Sequence, residues 1–296
     1  MTIPAPHDRR LRLGDGRQLG YTEYGVPDGH PVCYCHGFPS SRQEAGLLHQ
    51  AARIEGIRLI APDRPGYGLS SDRPGRQIHD WPADLAELTE RLGIDRFDLI
   101  GVSGGGPYAL ACLAALPARI GRCTLICPLG PIYLAPVRRT MAPGVRASLS
   151  LARRLPRLTN RFYTGPIPAL LAARPEVVAR LRYRNAAAPD RAVLDRPEVT
   201  AALDRTIVDA MRDGAHGARR DLHLYPRPWG FEPDRVDRAI TLWHGDTDNT
   251  VPVAHAHWYA RHLPDCRARI LHGEGHYSLP VRHGHGILKG LITVHD

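Results

Sequence analysis

The chain has 296 residues, 43% of them hydrophobic and 23% charged, with a formal net charge of +9 at pH 7. That is long enough to bury a large core and too ordinary in composition for a disordered or fibrous protein. The excess charge is confined to one segment: residues 131–235 hold 19 arginines against 10 acidic residues and the remainder balances, which argues against a nucleic-acid-binding protein.

Taken in order, Arg9 to Tyr24 reads as an antiparallel hairpin turning at Gly14-Asp15-Gly16. The first ten residues lack an apolar signal core and no stretch is long enough to span a bilayer, so a cytoplasmic protein without stable membrane insertion is expected. Pro31–Cys35 is a short apolar strand that runs into His36-Gly37-Phe38-Pro39. A helical stretch from about Arg42 to Glu55 precedes the strand Ile57–Ala61 and the loop Asp63–Gly68. The helix from about Asp80 to Leu92 places Leu85, Leu88 and Leu92 on one face. Phe97–Ile100 is a strand, and Tyr108–Leu116 is a helix halted before Pro117. Cys123–Cys127 is a further strand. Strands alternating with helices predict an α/β fold with a mostly parallel twisted sheet covered on both faces.

The alternation stops at Pro131 and resumes after Arg235 with the strand Ala239–Trp243, a helix from about Val253 to Leu263, the strand Ala268–Leu271 and a final helix after Pro280. The expected domains are therefore a core of residues 1–130 and 236–296, interrupted by an inserted helical cap of residues 131–235. All six cysteines read as reduced thiols without zinc-site spacing, five in strands or a buried helix and Cys266 in a turn. No metal or cofactor is expected.

Between the strand Phe97–Ile100 and its helix lies Gly101-Val102-Ser103-Gly104-Gly105. A Gly-x-Ser-x-Gly turn forces the serine hydroxyl out of the fold at the carboxyl end of the sheet, where the following helix directs its amides. Ser103 is thus the candidate nucleophile, and a hydroxyl needs a base. Of sixteen histidines, His276 is best placed, in the loop Gly273–Tyr277 after the last strand. His272 lies nearer the strand body and reads as packed or capping, and His36 and His244 as locally bonded. The orienting carboxylate must come from after the cap, because no Asp or Glu occurs between Leu99 and Pro175; Asp246 and Asp248 compete for that role.

These motifs resemble the α/β-hydrolase superfamily over nearly the whole chain. His36–Pro39 is similar to its oxyanion loop, Asp63–Ser70 to the loop after its fourth strand, Gly101–Gly105 to its nucleophile elbow, and His244–Pro252 with Gly275-His276 to its acid and base loops. The resemblance implies an α/β-hydrolase fold and favours Asp248, three residues before Val251-Pro252, over Asp246. It also implies an oxyanion hole from the backbone amides of Phe38 and Gly104, and structural roles for His36 and Asp63. Serine at the elbow, where related dehalogenases and epoxide hydrolases carry aspartate, implies acyl transfer on a small-molecule ester, thioester or lactone. Two other classes stay open: cofactor-independent oxygenases or C–C bond hydrolases using the same residues, and a ligand receptor. Arg138, Arg139, Arg146, Arg153, Arg154, Arg157 and Arg161 form either a solvated helix face or a site for an anionic substrate. With Val145, Leu149, Ala152 and Leu155 at helical spacing, the same segment also reads as a basic amphipathic helix for a membrane surface.

Overall fold

A computed structural model describes residues 7–164, 166 and 174–293. Eight strands form one sheet: β1 (Arg9–Arg12), β2 (Gln18–Gly25), β3 (His30–Cys35), β4 (Ile57–Pro62), β5 (Phe97–Val102), β6 (Ile120–Ile126), β7 (Ile240–Gly245) and β8 (Cys266–Leu271). Their spatial order is β1-β2-β4-β3-β5-β6-β7-β8. The β1–β2 hairpin is antiparallel, β2 pairs antiparallel with β4, and every later pairing is parallel. Cys266 therefore opens an edge strand and is half-buried, instead of lying in a turn as its flanking Pro264-Asp265 suggested.

Successive strand residues supply two cores, one on each face. Cys33, Cys35 and Leu99 pack with Leu85, Leu88 and Leu110 from the helices α1 (Trp81–Arg91) and α2 (Gly106–Ala115). Val32, Tyr34, Ile100 and Val102 face the other way, against Leu48 and the final helix Ser278–Ile292 through Leu279, Ile287 and Leu288. That final helix starts two residues before Pro280, which is tolerated in a first turn where amides have no helical partner. The stretch Arg42–Ile54 is helical but begins as a 3₁₀ turn, Arg42–Leu48, capped by the Ser41 hydroxyl.

Two features position a site. From β3 the chain crosses to β4 on one side, while β5 lies on the other, so the loops leaving β3 and β5 diverge at a topological switch point. Between β6 and β7, neighbouring parallel strands, the described residues are helical and contain no strand: they include the helices Pro143–Arg154, Pro156–Thr164, Pro175–Asn185, Ala188–Leu194, Pro197–Ala210 and His216–Leu224. Among the described residues no helix is long and apolar enough to cross a membrane.

Candidate active site

β5 ends at a turn in which Ser103 has φ 51°, a left-handed conformation that a non-glycine residue adopts only under constraint. The constraint is packing. A Cβ on Gly105 would lie 2.1 Å from the Cys35 carbonyl oxygen, so β3 and the turn approach as closely as only glycine permits. The Ser103 carbonyl accepts the Leu129 amide at 2.9 Å, and α2 begins three residues on.

Ser103 Oγ lies 3.1 Å from His276 Nε2. His276 Nδ1 donates to Asp248 Oδ2 at 2.7 Å, which leaves Nε2 as the acceptor for the serine proton. Asp248 is fixed by its own turn: its Oδ1 accepts the Thr250 and Val251 amides, each at 2.8 Å. Burial raises its carboxyl, but the His276 charge and these bonds outweigh it and hold the carboxyl below its ordinary value. For His276 burial works toward the neutral ring, yet Asp248 wins and the imidazole is raised above its ordinary value.

The competing acid is accounted for. Asp246 bonds His272 Nδ1 at 2.7 Å and the Gly273 amide at 2.8 Å, tying the loops after β7 and β8 together. His272 is 98% exposed, not packed: its ring stands out from the strand end and bonds the Asp246 carboxylate. His244 bonds the Val251 carbonyl at 2.8 Å, a local brace as expected.

The β3 loop is held from three sides. His36 is buried and kept neutral, its pKa depressed by burial and the Arg64 charge; its Nδ1 bonds the Gly37 carbonyl and its Nε2 accepts the Arg64 amide. The Arg64 guanidinium reaches the His36 carbonyl and, at 2.8 Å, the Gly37 carbonyl. In a trans peptide C=O and N–H point in opposite directions, so pinning the Gly37 oxygen aims the Phe38 N–H the other way. Glu44 takes the Gly37 amide at 2.7 Å. Tyr225, at the end of the helix His216–Leu224, donates to the Gly104 carbonyl at 2.9 Å and meets the Phe38 ring edge-on at 5.4 Å. A Cβ on Gly104 would lie 2.6 Å from both the Phe38 Cβ and the Tyr225 hydroxyl. Phe38 and Gly104 thus sit together beside Ser103.

Three of these residues carried no role in the sequence. Arg64 stands in the Asp63–Ser70 motif, but only the structure shows it gripping the β3 loop. Asp221 pairs with Arg64 at 3.1 Å and with Arg76 at 2.6 Å, so a carboxylate from the helical segment anchors that grip. Asp190 accepts the amides of His276 at 3.1 Å and of Tyr277 and Ser278 at 2.8 Å, capping the final helix and fixing the backbone that carries the imidazole. Asp190→Ala is expected to cost about 1–2 kcal/mol in urea unfolding, the scale of a lost cap, and to lower kcat more than it raises KM. Asp63, as expected, is structural: it holds the Arg42 guanidinium at 2.8 Å and the Leu69 amide at 2.9 Å.

A pocket opens over Ser103 and His276, walled by Phe38, Leu47, Val102, Leu203, Ile207 and Val281, with Glu44, Thr206, Tyr277 and Arg182 at its polar positions. None of the seven arginines from Arg138 to Arg161 lines it. Arg139, Arg153, Arg154, Arg157 and Arg161 are exposed, and Arg138 and Arg146 are half-buried. Of the apolar stripe beside them, Leu149 and Ala152 are buried while Val145 and Leu155 are exposed, Leu155 as the cap of a helix that ends at Arg154. Among the described residues, Cys127, Asp248 and His276 bring three ligand-type atoms within 4.8 Å of one another. This donor set is a poor metal site: Asp248 and His276 are engaged with each other, and burial and the Asp248 charge push the Cys127 thiol well up.

The family description "alpha/beta hydrolase fold" matches residues 30–282. The chain belongs to the alpha/beta hydrolase fold family. It is 36% identical to a non-heme chloroperoxidase of Streptomyces lividans over 127 residues, 42% of this chain and under half (46%) of that one. It is 24% identical to the uncharacterized hydrolase YcgS of Bacillus subtilis over 88% of this chain and 89% of that one. Among solved structures, a thermophilic esterase from Thermogutta terrifontis superposes with a TM-score of 0.69 at 22% identity, over 98% of this chain and 100% of that one. At that identity the likeness is one of fold.

Proposed function

We propose that this alpha/beta hydrolase is a serine hydrolase that cleaves a carboxylic ester, thioester or lactone through an acyl-enzyme on Ser103. The observation that carries the reading is the continuous chain Ser103 Oγ–His276 Nε2, His276 Nδ1–Asp248 Oδ2, mounted on a strained turn and opening into an apolar pocket. His276 takes the hydroxyl proton as Ser103 attacks the carbonyl carbon, and Asp248 stabilises the imidazolium. The Phe38 and Gly104 amides hold the oxyanion, each worth about 3–4 kcal/mol. The protonated His276 then gives its proton to the leaving alcohol or thiol, or to the ring oxygen of a lactone. Water, deprotonated by His276, releases the acid. Residues 131–235 act as the cap, and Leu203, Thr206 and Ile207 would set the acyl group that fits.

The test is a panel of p-nitrophenyl esters of graded acyl length, run with Ser103→Ala. The expected result is turnover by the native protein and a loss of about 10⁴-fold or more in the variant. A second reading, suggested by the chloroperoxidase name of the Streptomyces relative, keeps the histidine–carboxylate pair for chemistry without an acyl-enzyme. Turnover retained in Ser103→Ala would select it.

A further inference from the structure

The wall of the pocket holds a charge that the ester chemistry above does not use. Arg182, on the helix Pro175–Asn185, lines the same pocket as Ser103 and His276, and its side chain is only 5% exposed. Its Nη2 bonds Asp204 Oδ1 at 2.7 Å. Its Nε and Nη1 are buried and bond nothing among the described residues. A guanidinium stays charged at any accessible pH, and buried N–H donors without acceptors are costly to keep. An arginine held in this state beside a reactive centre is a site awaiting an acceptor.

The charges around it say which kind. Asp204, on the helix Pro197–Ala210, offsets part of the guanidinium charge and is itself partly exposed. Glu44, which lines the same pocket, already accepts the Gly37 amide and the Tyr34 hydroxyl, and when ionised it would repel a doubly charged group. The Tyr277 phenol also lines the pocket and is neutral, its pKa pushed up to about 12 by burial against the opposing Arg182 charge.

Resting on the ester-hydrolase reading, we propose that Arg182, which lines the pocket, is the specificity determinant for a substrate bearing one carboxylate remote from the scissile ester, its Nε–H and Nη1–H, covered by protein in this structure, turning to meet that carboxylate when it binds. The exposed arginine cluster of Arg138 to Arg161 is not the anion site; this single buried arginine is.

The test compares p-nitrophenyl hemiadipate with p-nitrophenyl hexanoate for a carboxylate on the acyl side, and the hexanoyl ester of 3-hydroxybenzoate with phenyl hexanoate for one on the alcohol side. In one of the two pairs the native protein should favour the anionic ester in kcat/KM. Arg182→Gln should collapse that ratio by about 10- to 100-fold, the scale of a hydrogen bond to a charged group. Asp204→Asn, which frees more of the guanidinium charge, should raise it; if the two residues were merely a structural pair, both variants would act alike. No anion preference in either pair, or a ratio unmoved by Arg182→Gln, overturns the proposal.

A binding measurement separates this idea from the chemistry at Ser103. On Ser103→Ala protein, calorimetry should find monomethyl adipate bound at least tenfold tighter than dimethyl adipate, with the preference lost on adding Arg182→Gln. The absence of that preference overturns the subsite even if ester cleavage is established. Its presence in a protein that cleaves no ester keeps the anion site and removes only the ester reading.

Discussion

Asp248→Asn is expected to lower kcat by about 10⁴-fold while KM changes little, the scale of losing an orienting carboxylate. An amide at this position can donate to His276 Nδ1, which favours the ring tautomer that carries its proton on Nε2 and cannot accept one from Ser103. The pH profile adds a sign. Burial alone would depress the His276 imidazole, and Asp248 overrides it, so the native pKa lies above the ordinary imidazole value. The base works only when neutral, so native kcat/KM should fall as the pH drops through that raised value. With the carboxylate charge gone and burial left, the acid limb of the residual activity should move to lower pH. An acid limb that stays in place in Asp248→Asn would mean that another group titrates.

Asp221→Ala should be among the most destabilising single changes, at about 3–5 kcal/mol in urea unfolding. The carboxylate takes bonds from Arg76 at 2.6 Å, Arg64 at 3.1 Å, Tyr67 at 2.9 Å and Tyr108 at 2.5 Å, all buried. Its removal strands two guanidinium groups in the interior. That is a large share of a typical stability of about 5–15 kcal/mol. Burial pushes the Asp221 carboxyl up, but Arg76 and Arg64 more than offset this and hold it at about 2. A depressed carboxyl adds stability that is complete above its unfolded value and lost as pH falls through its folded one. The gap between the native protein and Asp221→Asn should therefore narrow between about pH 4 and about pH 2. Because Arg64 holds the Gly37 carbonyl, both variants should also lose kcat at pH 7, where they remain folded.

The parts legible in the sequence were those specified locally. The Gly101–Gly105 turn, the apolar strands and the break in βα alternation at Pro131 are short-range patterns, and the turn and the strands correspond to observed elements. Ser103 and His276 could be named because each occupies a loop at the carboxyl end of a strand, whereas Asp248 was favoured over Asp246 only by what the family resemblance at Val251-Pro252 implies. The structure brings these three together, and puts Phe38 and Gly104 against each other. What local pattern could not reach is the support. Asp190 bonds residues 86–88 positions away, and Asp221 bonds Arg64 across 157. Such partners are chosen by how the helical segment packs on the core, and nothing in the spacing of a helix face states that. The same limit explains Arg182: of the nineteen arginines in that segment it is the one that lines the pocket over Ser103, while the conspicuous run from Arg138 to Arg161 lies outside it.

The central claim is that Ser103 becomes acylated, and the measurement closest to it is trapping of the acyl group. Protein mixed with a p-nitrophenyl ester should release a burst of p-nitrophenol close to one equivalent when deacylation is slow. Acid quenching followed by peptide mass spectrometry should then find the acyl mass on the peptide containing Ser103, with neither burst nor adduct in Ser103→Ala. Steady ester turnover without an adduct at Ser103, persisting in Ser103→Ala, would contradict the account.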